Sequence, residues 1–322
     1  MSDKNILINK EINQMTGIVV LNYNTYDATI ECISAIEKRI KCEYKIYLVD
    51  NASEESCKDK LKNKYSSNCN VNTIFLDKNL GYSGGNNVGI STAINEGASE
   101  ILILNSDVII LNDIVSIMKK ELSSMVAIVG PKIYTPMREN GQFLRKNYTF
   151  ASALTDKKPF YYVRKIFPKL DSCYSVKNWD TSITFEGMVS GCCFLISSDV
   201  FKQIGLFDDN VFLYAEEYIL GKKLQNVNLM ACYCPEAIIV HNHGASTRKI
   251  GNGFSDYHRY ASLYYCFKRY CNPSKYQVNT IRFLTLTNFF LKSFFHPDFK
   301  ENYIRLRTKV KEIDNGQFKI VF

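Results

Sequence analysis

Several common chemistries are excluded by what this sequence does not contain. It has no CxxC pair, and its eleven cysteines are scattered and odd in number. Several sit in apolar runs such as SGCCFLIS, so they are expected to be reduced core residues and not zinc ligands or disulfides. No apolar stretch reaches the length of a bilayer span. The first residues, MSDKNILINKEINQ, lack a continuous apolar core, which argues against a signal peptide and for a cytoplasmic protein. The glycine-rich stretch DKNLGYSGGNNVGI (77–90) lacks the lysine and hydroxyl of a P-loop. No nucleic-acid-binding module is recognisable, although the net charge is +8, with much of the excess after position 244 in HRYASLYYCFKRY and NYIRLRTKVK. Such basic and aromatic segments suit an anionic partner or a solvated helix face equally, and nucleic acid is not expected.

What is present is a folded chain of ordinary composition. At 322 residues, 46% of them hydrophobic, it can bury a sizeable core in one large domain or two small ones. Buried-strand runs GIVVL (17–21), YKIYLVD (44–50), VNTIFL (71–76) and EILILN (100–105) alternate with helical patterns, the order of a parallel sheet with right-handed crossovers. The stretch through Gly89 reads as a loop, with Ser91 to Gly97 the body of the next helix. Residues 135–182 are polar, aromatic and irregular, and are expected to form ordered substrate-binding excursions. SGCCFLIS reads as a strand, VFKQIGLFDDN as a short helix and turn, VFLYAEEYILGKKLQ as a helix, LMACY and AIIVH as two strands, and the chain beyond Gly253 as helices.

Ligands of open α/β sheets bind beyond the carboxyl ends of the strands. There the sequence places Asn22, Tyr23 and Asn24, then Asp50 and Asn51, then Leu80 to Gly89, then Asn105, Ser106 and Asp107. Amides, two carboxylates and a glycine-rich loop on one rim suit a polar small molecule.

In that order and spacing, VVLNYNTYDATIECI, YLVDNAS, NLGYSGGNNVGI, ILILNSD, VSGCCFLISSDVFKQIGLFDDNVFLYAEE and AIIVHNHGAST resemble the family 2 glycosyltransferases, enzymes of the GT-A fold, in particular bacterial rhamnosyltransferase-like members. The resemblance covers about Gly17 to Thr247. It implies a mainly parallel α/β sheet flanked by helices, with a GT-A domain over 1–250 and a helical extension over 251–322. Within the domain, 17–107 would hold the nucleotide-sugar and 108–250 the acceptor and catalytic groups.

The resemblance also implies roles. Asp50 would touch the nucleoside, with Asn22, Asn24 and Asn51 in the same pocket; the local alternative is that Asp50 and Asn51 cap the following helix. Gly84, Gly85 and Asn86 would contact the donor, and Gly191, beside Ser190, would leave room for its sugar. Asp107 of NSD falls in the family's metal-binding motif, whose first acidic position is here Asn105. With His241 it would hold a divalent cation, Mg2+ or Mn2+, against the donor diphosphate; Ser246, Thr247 and Arg248 would contact phosphate. The alternative for Asp107 is a cap on a helix read from VIILNDIVSIM. Glu217 would be the general base and Glu216 would help hold sugar or acceptor, against the bland reading of an acidic pair at a helix start. Two departures from the family pattern are Ile219, where another acid is usual, and Ala261-Ser262, where relatives often carry Arg-Asn.

The implied activity is inverting transfer from a dTDP-, UDP- or GDP-sugar to a hydroxyl of a bacterial glycan or its lipid-linked precursor. The rival reading, prompted by Ile219 and the Glu-Glu pair, is a non-catalytic nucleotide-sugar-binding partner in glycan assembly. RFLTLTNFFLKSFF (282–295) is too short to span a bilayer; it reads as a core-facing or homodimer-forming helix, or as a peripheral contact with the inner face of the cytoplasmic membrane.

Overall fold

The computed structural model describes residues 15–137, 139–158, 160, 162, 166–167, 173–174, 176–242 and 252–319, and the statements below concern these. The amino-terminal segment and Ser246, Thr247 and Arg248 lie outside them. Strands β1 (Thr16–Asn22), β2 (Tyr44–Asp50), β3 (Val71–Phe75) and β4 (Glu100–Asn105) pair in parallel in the order β3-β2-β1-β4. Helices α1 (Tyr26–Arg39), α2 (Glu55–Tyr65) and α3 (Gly81–Asn95) connect them in turn. Ile18 and Val20 of β1 pack with Ile33 and Ile36 of α1, while Val19 packs with Ile90 and Ala93 of α3. Both faces of the sheet are covered, which is why these strands read as unbroken apolar runs.

The sheet then becomes mixed. β8 (Cys193–Ser197) lies antiparallel beside β4, followed by β6 (Val126–Tyr134) and β9 (Met230–His241). Two short strands, β5 (Val108–Ile110) and β7 (Ile183–Phe185), pair antiparallel with opposite ends of β9. The remaining helices among the described residues are α4 (Ile114–Lys119), α5 (Phe150–Thr155), α6 (Ser198–Ile204), α7 (Glu216–Gln225), α8 (Asn252–Tyr270), α9 (Lys275–Ser293) and α10 (Asp298–Asp314). None of the eleven cysteines forms a disulfide among the described residues, and no described helix is long and apolar enough to cross a membrane.

Three local readings are corrected. VIILNDIVSIM does not start a helix at its valine: Val108–Ile110 is a strand, and α4 begins at Ile114, capped by Asp113, whose side chain accepts from Ser116 N. LMACY and AIIVH belong to one strand, β9. The stretch expected to be a loop up to Gly89 is helical from Gly81 onward. Glycine is a poor helix former, but here it lets α3 lie close on the sheet. A Cβ on Gly85 would fall 2.6 Å from Leu21 Cδ1, and one on Gly89 2.6 Å from Val19 Cγ1. Gly89→Ala is therefore expected to lower stability by about 1–3 kcal/mol through overpacking, despite alanine's better propensity. Chemical denaturation measures this; a stability equal to or above wild type would show that α3 can lift off the sheet at no cost.

The carboxyl-terminal helices build an aromatic core of their own. Tyr264, Tyr265 and Phe267 of α8, Phe289 of α9, and Phe299 and Leu306 of α10 pack with Val211, Phe212 and Tyr218. Ser274 starts α9 with a complete capping box to Gln277. At the edge of this core His258 is fully buried and neither ring nitrogen makes a hydrogen bond among the described residues. Phe212, Phe254 and Tyr257 surround the ring. Burial first, and then the Arg305 charge, lower its pKa from 6.5 to about 3. The unfolded chain thus binds a proton that the folded one refuses, and His258 costs stability progressively as pH falls from 6.5 toward 3. His258→Phe is expected to flatten that part of the stability–pH curve; an unchanged slope would mean that the ring is hydrated.

Candidate active site

The ends of β1 and β2 are locked by one buried network. Asn22 Nδ2 donates to Asp50 Oδ2 at 2.6 Å and to Ser53 Oγ at 3.0 Å, while Asn22 Oδ1 accepts from Thr25 and Thr29. The other carboxylate oxygen of Asp50 accepts from Ser53 N at 3.0 Å. Asn22 and Asp50 are fully buried, and these bonds tie the end of β1 to the DNAS turn and to the start of α1. Asp50 is not the cap of α2, whose N-cap residue is Glu54. Asn24, in a left-handed conformation, accepts from Glu54 N through Oδ1.

Asn51 serves the next connection. Its Oδ1 accepts from Leu80 N at 2.8 Å, and its Nδ2 donates to Asn79 Oδ1 and to Gly81 O. It thereby fixes the first turn of α3 on the end of β2. Gly81 has φ +72°, and a Cβ there would lie 2.2 Å from Phe212 O; Tyr82 N donates to the same carbonyl at 2.9 Å. Only glycine permits this backbone contact, which ties α3 to the segment leading into the acidic pair. Gly84 and Gly85 lie inside α3, and Asn86 donates to Tyr82 O while its buried Oδ1 has no hydrogen-bond partner among the described residues. Asn87 binds the backbone of Phe207 through both its amide atoms.

Strand register brings Asp107 to His241. β5 runs antiparallel to the end of β9 with Val108 opposite His241, and Asn242 N donates to Asp107 O at 3.0 Å. The Asp107 Oδ1 and His241 Nε2 atoms are then 3.1 Å apart, both residues being largely buried. Burial alone would lower the imidazole pKa. Hydrogen bonding to Asp107 and Cys192 outweighs it and raises the pKa from 6.5 to about 10. One carboxylate oxygen and one imidazole nitrogen, on converging strand ends, fit two ligands of a small divalent cation. A cation would have to displace the shared proton. No group of three or more His, Cys, Asp or Glu residues suited to a metal occurs among the described residues.

The acidic pair sits in the first turn of α7, after two consecutive left-handed residues, Tyr214 (φ 67°) and Ala215 (φ 69°). Non-glycine residues in this region cost about 1–3 kcal/mol each and persist only when neighbours hold them. Here α8 does so: Ser262 Oγ donates to Leu213 O, and the Tyr214 and Ser255 hydroxyls share a hydrogen bond. Glu217 Oε1 accepts from Gly191 N at 3.3 Å, and Tyr82 OH donates to Gly191 O. A Cβ at Gly191 would press on the Glu217 carboxyl at 3.2 Å. Glu216 retains some exposure as a residue, but its Oε2 is enclosed without a hydrogen-bond partner among the described residues. Burial, then the neighbouring Glu217 charge, raise its pKa to about 8. Ile219, one turn on, is buried in the aromatic core.

Two participants were not legible in the sequence. Arg145 donates to Tyr218 OH at 3.1 Å, stacks over that ring, and lies near Glu217; burial would lower its pKa, and the Glu217 charge with the Tyr218 contact outweighs that and raises it. Cys192 joins the two halves of the site: its carbonyl accepts from Asn105 N, its thiol lies against His241, and the preceding Gly191 meets Glu217. Spacing gives no sign of either contact, because each spans tens of residues.

A sequence profile described as Glycosyl transferase family 2 matches residues 17–205. The chain is 26% identical over 246 residues (75% of this chain, 71% of the relative) to the low-salt glycan biosynthesis hexosyltransferase Agl10 of Haloferax volcanii. It is 24% identical over 244 residues (74% and 73%) to the dTDP-rhamnosyl transferase RfbF of Shigella flexneri. Among solved structures, the mannosyltransferase PcManGT from Pyrobaculum calidifontis in complex with GDP-Man and Mn2+ superposes with a TM-score of 0.52 at 11% identity, over 94% of this chain and 86% of that one. GalNAc-T7 with UDP, GalNAc and Mn2+ gives a TM-score of 0.58 at 14% identity over 79% of this chain, which spans only 48% of that structure. These likenesses agree with the GT-A fold expected from the sequence motifs. Because the family profile covers more than half of the chain, including the strand ends that carry Asn22, Asp50, Asp107 and Gly191, the chain belongs to glycosyl transferase family 2 and is a glycosyltransferase.

Proposed function

We propose that the chain transfers a sugar, with inversion, from a nucleotide-diphosphate sugar to a hydroxyl of a bacterial glycan or its lipid-linked precursor. The observation that carries this reading is the Gly191–Cys192 stretch, which links the Asp107–His241 pair to the Glu216–Glu217 pair. Displacement at an anomeric carbon needs charge stabilisation at the leaving diphosphate and a base for the incoming hydroxyl. Asp107 and His241 would serve the first need by holding Mg2+ or Mn2+, which when bound supplies positive charge to the diphosphate. Glu217 serves the second, oriented by Gly191 N–H and Arg145. Glu216 keeps its proton up to about pH 8 and so can donate a hydrogen bond to sugar or acceptor.

In this scheme residues 17–107 hold the donor, with Asn24, Asn105 and backbone atoms beside the Asn22–Asp50 lock meeting the nucleoside. Residues 108–250 form the acceptor side. The contacts assigned to Gly84, Gly85 and Asn86 rest on the family resemblance, since packing already accounts for glycine at 85. The donor class is supported by the names of the relatives, one a dTDP-rhamnosyl transferase. An N-acetylglucosaminyl-diphospho-decaprenol L-rhamnosyltransferase of Mycobacterium tuberculosis, 36% identical over 61 residues (19% of this chain, 20% of that protein), supports a lipid-linked acceptor. A thermal-shift screen of dTDP-, UDP- and GDP-sugars with and without Mn2+ tests the reading. One nucleotide series should raise the Tm, and more strongly with Mn2+; no shift with any of the three would sink it.

A further inference from the structure

Helix α9 is buried along one face and carries exposed aromatics along the opposite one. Ile281, Thr285, Phe289 and Ser293 recur every four residues and are buried against the rest of the protein. On the other side Tyr276, Phe283, Phe290 and Phe294 follow at intervals of seven, seven and four, which at 3.6 residues per turn is a single stripe. Tyr276 is 76%, Phe283 67% and Phe294 65% exposed, and Phe295, just beyond the helix, is 79% exposed. The stripe is held in shape, since Phe290 packs on both Phe294 and Tyr303 of α10. A row of exposed aromatics of this length marks an interaction surface.

Charge selects the occupant. Residues 251–322 contain twelve Lys and Arg against five Asp and Glu, a net +7 of the chain's +8. A symmetric dimer through this stripe would bring two such net-positive segments together and repel itself, whereas an anionic bilayer complements both the charge and the aromatics. We infer that the aromatic stripe of α9 docks the protein on an anionic lipid surface, with the rings at the headgroup–acyl boundary and the surrounding basic residues on the lipid phosphates. Because α8 packs beside α9 and also holds the turn before Glu216, docking would fix the acceptor side of the site near the bilayer.

Co-sedimentation of the full chain with vesicles tests this. Phosphatidylcholine vesicles containing about 30 mol % phosphatidylglycerol should bind the protein, and phosphatidylcholine alone should bind it at least about tenfold more weakly. Binding should also fall at least about tenfold when NaCl is raised from about 0.1 to about 0.5 M, and in Phe283→Asp/Phe294→Asp. That variant should keep the wild-type Tm and nucleotide-sugar response, which shows that it is folded. Absence of sedimentation, equal binding to neutral and anionic vesicles, or a solution dimer dissolved by the same double substitution would each overturn the inference. Loss of vesicle binding with donor binding retained touches only this surface and leaves the proposed function standing.

Discussion

Glu217→Gln is expected to bind donor as the wild type does and to turn it over about 10²–10⁴-fold more slowly, the usual loss when a positioned general base is removed. Glutamine retains an oxygen to accept from Gly191 N and nearly the same volume, so the 3.3 Å contact at Gly191 need not break. The loss should therefore appear in kcat and not in the donor-induced Tm shift. Glu216→Gln provides the contrast. It imitates the protonated carboxyl already present below about pH 8, so its turnover near neutrality should fall far less. The sign of its stability effect follows from the raised pKa. An acid that ionises at 4.5 when unfolded and at about 8 when folded stabilises the fold fully below 4.5, and that contribution is lost as pH rises toward 8. Relative to wild type, Glu216→Gln should gain stability over that interval. Full turnover by Glu217→Gln, with a collapse in Glu216→Gln, would exchange the two roles.

The second large effect is expected at Asp107. Asp107→Asn preserves shape but removes the carboxylate that faces His241 Nε2 at 3.1 Å. Metal-dependent turnover should drop on the order of 10²-fold or more, the scale seen when one group stabilising transition-state charge is lost. The difference in nucleotide-induced Tm shift with and without Mn2+ should vanish as well. A readout free of activity is useful, because the same substitution also removes an ion-pair partner of His241. If instead the Mn2+ enhancement survives in Asp107→Asn, the strand-end pair is structural and the cation site lies elsewhere.

Much of the architecture was legible because the parallel half of the sheet follows simple rules. GIVVL, YKIYLVD and EILILN are unbroken apolar runs since helices cover both faces of the strands they form. The helices beyond Gly253 were equally plain. DKNLGYSGGNNVGI was misread as a loop for a physical reason. Its glycines are selected by the closeness of α3 to Leu21 and Val19, which lie about sixty to seventy residues away, and local propensity carries no trace of that contact. VIILND was misread because three residues of strand β5 exist only through their pairing with the end of β9. At the site, the strand-end residues could be picked out by position, but their use could not. Asn22 and Asp50 look like ligand contacts in the sequence, and position alone gave no sign that their side chains also bond to each other and lock β1 to β2. Arg145 and Cys192 gave no sequence signal, although they join the acidic pair to the rest of the rim.

One rim, from Asp107 and His241 through Gly191 to Glu217, is proposed to perform metal-assisted sugar transfer. Release of free nucleoside diphosphate tests it most directly, measured for wild type, Asp107→Asn and Glu217→Gln, with dTDP-, UDP- and GDP-sugars in Mn2+ and in chelator. Wild type should release nucleoside diphosphate from one nucleotide series, chelator should abolish that release, and both variants should show strongly reduced release while Glu217→Gln still binds the donor. Wild-type release that persists in chelator and in both variants would contradict it.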